Sequence, residues 1–207
     1  MNRTKEQNYE KELPLNYKQA LYINAKDAKF GIIFNLIALL ICAIVLTFAI
    51  LFLRLKSDFS FEKITADPLQ LFLPLLVLFV AMIAYIATHE LTHGVAYKLL
   101  TGEKLTFGLS WSCAFCGVPH VYTYRKTALI AVISPFALFT LIFIPLLIVL
   151  YNISPIYYLV TSFLFGYHFG GCSGDLYVLI LLATKFKNKK TLMKDTGPEQ
   201  YFYIPTK

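Results

Sequence analysis

Residues 89–93 read His-Glu-Leu-Thr-His, which places two imidazoles and one carboxylate in the pattern His-Glu-x-x-His. Residues four apart lie on the same face of a helix, so His89 and His93 can both present a ring nitrogen to one Zn²⁺ ion. Glu90 lies beside them, where its carboxylate can take a proton from a water bound to the metal. These residue types at these offsets predict a zinc site with Glu90 as general base.

A structural role for the same residues stays open. Polar side chains at the point where an apolar helix leaves a membrane can extend toward the lipid headgroups. That role explains one polar residue, but it does not explain two histidines and a glutamate at these offsets. Glu90 is also the only acid between Asp67 and Glu103. An acid at mid-bilayer costs about 2.5–3.5 kcal/mol, so a chemical role is favoured.

A catalytic zinc ion usually has three protein ligands, and the possible third donors downstream are His120, His168 and Asp175. Asp175 is the only charged residue in the last long apolar segment, and an acid there is a candidate functional residue. His89 and Asp175 also lie equally far, about 30 Å of helix, from the starts of their segments. The sequence therefore predicts His89, His93 and Asp175 as metal ligands.

Other roles remain possible for these later residues. Asp175 could pair with Lys98 or carry a charge at a helix end. His168 shares a helix face with Asp175 and could be a ligand, a neighbour of the site, or a buried histidine bonded to Tyr85 or Ser134. We expect His120 at the surface. Two further cysteines, Cys113 and Cys116, are interpreted as turn residues, because a zinc knuckle needs a second ligand pair.

The elements that position these residues follow from the composition of the 207-residue chain. Apolar residues make up 57% and charged residues 15%, whereas soluble domains carry about a quarter charged residues. So apolar a chain is not disordered. Its net charge of +7 is not gathered into the basic stripe of a nucleic-acid-binding protein. The composition predicts an integral membrane protein with no nucleic-acid partner.

The predicted fold class is an all-α integral membrane protein with four transmembrane helices in a single membrane domain covering residues 1–207. About 20 apolar residues are needed for each helix to cross a bilayer. Four segments satisfy this, at about 31–53, 69–100, 127–151 and 156–184. Lys and Arg concentrate in residues 1–30, in the middle loop and in residues 185–207. We therefore expect both terminal tails to be cytoplasmic, in a multi-pass protein of the cell membrane.

The middle loop has a different pattern from the apolar segments. Leu105, Phe107, Leu109 and Trp111 alternate with small or polar residues, and a period of two predicts a strand. Residues 113–117 are typical of a turn, and residues 120–124 are again rich in strand-forming types. The loop therefore predicts a β-hairpin at about residues 104–125, on the cytoplasmic face between the second and third helices.

Three short segments together carry a family resemblance: residues 89–94, the Ile-Ser-Pro at 133–135 and the Ser-Gly-Asp at 173–175. Over roughly residues 70–205 the chain resembles the site-2 protease group of intramembrane zinc metallopeptidases. More closely, it resembles small bacterial membrane proteins grouped as putative zincin peptidases.

This resemblance implies a zinc-dependent peptidase that hydrolyses peptide bonds in or near the bilayer. Its ligands would be His89, His93 and Asp175, and its general base would be Glu90. Its partners would be the lipid bilayer and a peptide or membrane-protein substrate, and nothing in the sequence specifies an oligomeric state. The rival interpretation is a non-catalytic metal-binding scaffold or a small ion or proton transporter, since intramembrane acids and histidines also suit ion movement.

Overall fold

The computed structural model describes residues 8–56, 59–60, 68–110 and 113–206. The chain is mostly helical, with three long apolar helices and a small β-sheet. The long helices are α1 (Ala28–Arg54), α2 (Pro68–Thr101) and α3 (Arg125–Ile153). Each is long and apolar enough to cross a membrane. These three helices agree with the first three predicted segments.

The predicted fourth segment, residues 156–184, is two helices. Helix α4 (Pro155–Gly171) has 17 residues and α5 (Ser173–Thr184) has 12, so each is shorter than the about 20 residues of a single crossing. Cys172 lies between them as a turn residue. Glycines are weak helix formers, and three of them flank this turn. The structure thus does not confirm a single fourth transmembrane helix, and the break places Asp175 in the first turn of α5.

The all-α prediction omitted a five-stranded antiparallel sheet with the order β1-β5-β6-β7-β2. Its pairings join segments that are distant in sequence, and both terminal segments, predicted as tails, contribute strands to it. In this sheet, Phe202 is buried between half-buried Tyr201 and Tyr203. The strands of the sheet are β1 (Tyr9–Glu10), β2 (Tyr17–Asn24), β5 (Tyr122–Tyr124), β6 (Leu192–Asp195) and β7 (Glu199–Pro205).

A hairpin lies between α2 and α3, but its second strand differs from the prediction. Strand β3 (Thr106–Leu109) pairs with β4 (Ala114–Gly117), which the sequence had indicated as the turn. Strand β5, predicted as the partner of β3, instead pairs with β1 and β6 in the larger sheet. The physical reason for this difference is that Thr123 of β5 is buried between β1 and β6, which are far away from it in sequence. Trp111, expected on the first strand, is outside the described residues.

Contacts divide the chain into two compact units. The first consists of residues 1–32, 88–135 and 174–207, and the second of residues 33–87 and 136–173. In the first unit, apolar residues of the sheet pack against those of α3 and α5, and the rings of Phe186 and Phe202 stack at 4.8 Å. Its buried core includes Ile23, Val132, Val178, Leu182, Met193 and Phe202.

Close packing of α1 against α4 characterises the second unit. Gly166 lies against Cys42, and Gly170 lies against the backbone of Ala38. Small residues of this kind let two apolar helices approach closely, which is a common way for membrane helices to associate. The same unit holds a buried cluster of Tyr85, Phe143 and Leu164.

Gly170→Ala is therefore expected to destabilise the protein. A Cβ atom at Gly170 would lie 2.5 Å from Ala38 Cα, which is backbone that cannot move aside cheaply. Overpacking of this kind costs about 1–3 kcal/mol, which would lower the thermal unfolding midpoint in detergent. The matched control is Gly171→Ala, because a Cβ there meets nothing within 4 Å. Equal midpoints for the two variants would contradict the close approach of α1 and α4.

Candidate metal centre

Two histidines on α2 begin the candidate site. His89 and His93 are one helical turn apart, and each is only 7% exposed. Their ring centroids are 5.0 Å apart and the ring planes are nearly perpendicular, at 78°. The helix thus brings both imidazoles to one face, as the spacing of the motif predicts.

Asp175 joins the two histidines from the first turn of α5. Its Oδ2 atom lies 3.1 Å from His89 Nε2 and 3.3 Å from His93 Nε2. One ligand atom from each of these three residues lies within 4.8 Å of the others, so the group could hold a metal ion. The start of a helix also favours a negative charge, which suits a carboxylate at this position.

A backbone carbonyl on α3 fixes the orientation of the second imidazole. His93 Nδ1 lies 2.8 Å from the Ala131 carbonyl oxygen. A carbonyl oxygen only accepts, so Nδ1 must carry the hydrogen, and Nε2 of the neutral ring then presents a lone pair. That lone pair faces the Asp175 carboxylate, which is also an acceptor. Such a pair of facing acceptors requires a proton or a cation between them.

The donor set and its spacing fit a zinc ion. Zn²⁺ binds imidazole nitrogen at about 2.0–2.1 Å and carboxylate oxygen at about 2.0–2.2 Å, in tetrahedral geometry. Two donors on one tetrahedral zinc are then about 3.4 Å apart. The distances from Asp175 Oδ2 to the two histidine nitrogens, 3.1 and 3.3 Å, are close to that value. Three protein ligands would leave a fourth position open.

Glu90 is half-buried beside this group. Its carboxylate interacts electrostatically with His89, His93 and Asp175 and with the backbone N–H of Cys116 in β4. The structure therefore brings together all four residues that the sequence singled out. It also adds a contact from the hairpin that the sequence did not predict.

The other candidate ligands have hydrogen-bond partners of their own or are exposed. His168 belongs to the second unit and is fully buried there, with Nδ1 at 2.9 Å from Tyr85 Oη and Nε2 at 3.1 Å from Thr140 Oγ1. The hydrogen bond to Tyr85 is one of the alternatives that the sequence left open. His120 is exposed, as predicted. Lys98, the other possible partner of Asp175, donates to the carbonyls of residues 102 and 103.

Of the two cysteines of the middle loop, only Cys116 differs from the predicted turn position, because it lies in a strand. Cys113 precedes β4, and its Sγ atom lies 3.2 Å from Ser110 Oγ. Cys116 is buried within β4. Burial, together with the nearby carboxylates of Asp195 and Glu90, raises the pKa of the Cys116 thiol to about 12. This cysteine is therefore a neutral thiol at ordinary pH.

A buried pair one turn beyond His93 was missed at the level of sequence. Tyr97 donates a hydrogen bond to Asp195 Oδ2 at 2.7 Å, and the backbone N–H of Gly197 donates to Asp195 Oδ1 at 2.9 Å. Residues 185–207 had been interpreted as a tail, so a buried acid was not expected there. The available signal was the Asp-Thr-Gly-Pro at 195–198, because aspartate in such turns accepts from the backbone two residues on.

The Asp195 carboxyl gives the protein a predicted pH dependence. Burial raises its pKa to about 6, and the negative charge of Asp175 acts in the same direction. Hydrogen bonds from Tyr97 and Gly197 and the nearby His93 partly oppose this rise. Because the unfolded value is about 3.9, the folded state retains a proton between about pH 4 and 6 that the unfolded state releases. Stability present at low pH is therefore lost as the pH rises through this window.

Asp195→Asn should remove that dependence. Thermal unfolding in detergent from pH 4 to pH 7 is expected to show the wild-type midpoint falling relative to that of the variant, which does not titrate at this position. Across this pH range, the free energy of unfolding of wild type should fall by about 3 kcal/mol relative to that of the variant. Midpoints of the two proteins that change in parallel with pH would show that this carboxyl does not titrate in the window.

Comparison with known families gives a match. A family model described as "Putative zincin peptidase" matches residues 80–190, which is more than half of the chain. The matched range contains the two histidines, Glu90 and Asp175. No curated protein and no solved structure matches the chain. None of these comparisons supports the expected relation to the site-2 protease group.

Proposed function

The chain belongs to the Putative zincin peptidase family, and from this premise we propose that it is a zinc-dependent metallopeptidase embedded in the membrane. It would hydrolyse peptide bonds in or near the bilayer. The observation that carries the proposal is the position of the Asp175 carboxylate, which lies between the imidazoles of His89 and His93. An acid and two histidines that converge on one point form a donor set typical of catalytic zinc.

His89, His93 and Asp175 would hold the metal through the two Nε2 atoms and Oδ2. The chemistry that zinc supplies when bound is Lewis acidity, which acidifies a water molecule and polarises the scissile carbonyl. The Ala131 carbonyl keeps the His93 ring in the tautomer whose Nε2 can bind a metal. The helix start at α5 favours the ionised form of Asp175, which is the form that binds.

Glu90 would transfer the proton. Its carboxylate takes a proton from the attacking water as the water oxygen bonds to the carbonyl carbon. It then gives that proton to the amine nitrogen as the C–N bond breaks, which returns the carboxylate to its starting state. The interaction with the Cys116 N–H involves one lone pair of the carboxylate and leaves others for the proton.

The three long apolar helices support a membrane location. We assign the protein to the cell membrane with both termini in the cytoplasm, because Lys and Arg concentrate in the terminal segments and the middle loop. Residues 156–184 would make a fourth crossing that is interrupted at Cys172, since broken helices are tolerated where protein covers the freed backbone groups. The partners would be the lipid bilayer and a peptide or membrane-protein substrate, with no nucleic acid.

A scaffold or ion transporter could use the same three ligands, and Glu90 distinguishes the two functions. Hydrolysis needs a carboxylate at this position, whereas metal binding alone would accept glutamine. The test is to purify the full chain in detergent, measure its zinc content and compare wild type with Glu90→Gln on a panel of membrane peptides. Glu90-dependent cleavage supports the peptidase. Stoichiometric zinc without such cleavage would favour the scaffold.

A further inference from the structure

A backbone N–H that interacts with the Glu90 carboxylate comes from outside its own helix. The Cys116 N–H that faces the carboxylate belongs to β4, so the position of this strand sets the environment of the acid. Strand β3 holds one edge of β4, with Phe107 opposite Cys116. The contacts on the other edge of β4 then determine how firmly the Cys116 N–H is held in position.

The C-terminal turn at residues 195–197 holds that other edge. The backbone N–H of Val118, two residues beyond Cys116, donates to the Asp195 carbonyl oxygen at 2.8 Å. Gly117 lies directly against the backbone of Thr196 and Gly197, so closely that a Cβ atom would overlap the Gly197 nitrogen. Gly197 itself has φ of +102°, a conformation that favours glycine.

The same turn is also fixed to α2. The Asp195 side chain accepts the 2.7 Å hydrogen bond from Tyr97, whose side chain is 1% exposed. Tyr97 follows Glu90 by two helical turns and therefore lies on the same side of α2. The contacts form a closed ring, from Glu90 to Cys116, along β4 to Asp195, and through Tyr97 back to α2.

We propose that Gly117, Asp195 and Tyr97 are positioning residues that hold the Cys116 N–H against the Glu90 carboxylate. Contacts with Glu90 and Tyr97 of α2 and with the turn at residues 195–197 keep β4 in place. The Glu90 carboxylate therefore has one orientation in which to take a proton. None of the three residues belongs to the metal-binding group. This inference rests on the proposed peptidase function and specifies a further part of the same site.

Gly117→Ala tests the ring most directly, because its Cβ would displace β4 from the turn. In the full chain purified in detergent, we expect zinc content equal to that of wild type. We expect kcat for membrane-peptide cleavage to fall at least tenfold, with KM changed less than twofold. Hydrogen exchange at residues 114–118 should be faster than in wild type. Gly171→Ala is the control for the exchange measurement and should match wild type at residues 114–118, since its Cβ meets nothing within 4 Å.

A second pair of variants covers the case in which Gly117→Ala does not fold. Asp195→Ala removes the acceptor of the Tyr97 hydroxyl, whereas Asp195→Asn keeps one. We expect Asp195→Ala to reproduce the loss of kcat and the faster exchange at residues 114–118, and Asp195→Asn to recover kcat to within threefold of wild type. Tyr97→Phe, which removes the donor, should behave like Asp195→Ala.

The outcomes separate the two proposals. Wild-type kcat per bound zinc and unchanged exchange in Asp195→Ala and Tyr97→Phe would overturn the positioning role. Equal losses in the Ala and Asn variants would also overturn it, because they would indicate a general need for the charge or the fold. If wild-type protein cleaves no membrane peptide, the peptidase function fails. The exchange at residues 114–118 then still decides whether the turn holds β4 against Glu90.

Discussion

Glu90→Gln is expected to lower kcat for peptide cleavage by at least about 100-fold, because general acid–base catalysis typically contributes 10²–10⁴-fold. Glutamine has nearly the same size and keeps an oxygen that can accept the Cys116 N–H, so the local structure should persist. It cannot take a proton from water at neutral pH. Zinc content should remain that of wild type, because the predicted ligands are other residues.

The measurement is a kinetic comparison on membrane peptides, with zinc determined on the same samples. Glu103→Gln is the matched control, because it makes the same change in an acid beyond the end of α2 that contacts Tyr9. That variant should keep wild-type kcat. Cleavage by Glu90→Gln at a rate within threefold of wild type would remove Glu90 from the chemistry.

Loss of any one ligand is the second large effect. His89→Ala, His93→Ala and Asp175→Ala should each weaken zinc binding by more than about 100-fold, since even neighbours that only orient metal ligands are worth 10–100-fold. Zinc retained after purification with a mild chelator, measured by elemental analysis, reports the loss. Thermal unfolding midpoints of the metal-free variants should stay near that of metal-free wild type.

Controls for this series come from the two other candidate histidines. His120→Ala alters an exposed residue and should keep its zinc. His168→Gln alters a buried residue that bonds Tyr85 and Thr140 in the second unit, and we expect it to keep zinc as well. Full zinc retention in Asp175→Ala together with zinc loss in His168→Gln would move the third ligand to His168.

The candidate site could be predicted closely from the sequence, because its residues stand out either by their local spacing or by a residue type that is rare in an apolar segment. The spacing of His89 and His93 places them on one face of any helix, so no knowledge of the fold was needed. Asp175 was identified because an acid is rare in an apolar segment. Its convergence with the histidines, however, is a tertiary contact that the sequence could suggest only through matching depth in the membrane.

The parts that sequence did not predict depend on contacts between distant segments. Strand β5 pairs with β1 and β6, and the aromatic residues of β7 lie beside β2 and β6. No local period specifies such pairings, so the terminal segments were interpreted as tails. The role of Asp195 was not predicted for the same reason, because its burial depends on a contact with Tyr97, which is far from it in sequence. The break at Cys172 was signalled by glycines, which membrane helices often tolerate.

X-ray absorption at the zinc edge, on the full chain purified in detergent without added chelator, tests the central claim most directly. The account predicts one zinc ion per chain, bound only by nitrogen and oxygen at about 2.0–2.2 Å, with scattering from two imidazole rings. Absence of zinc from wild-type protein, or a sulfur ligand at about 2.3 Å, would contradict a centre built from His89, His93 and Asp175.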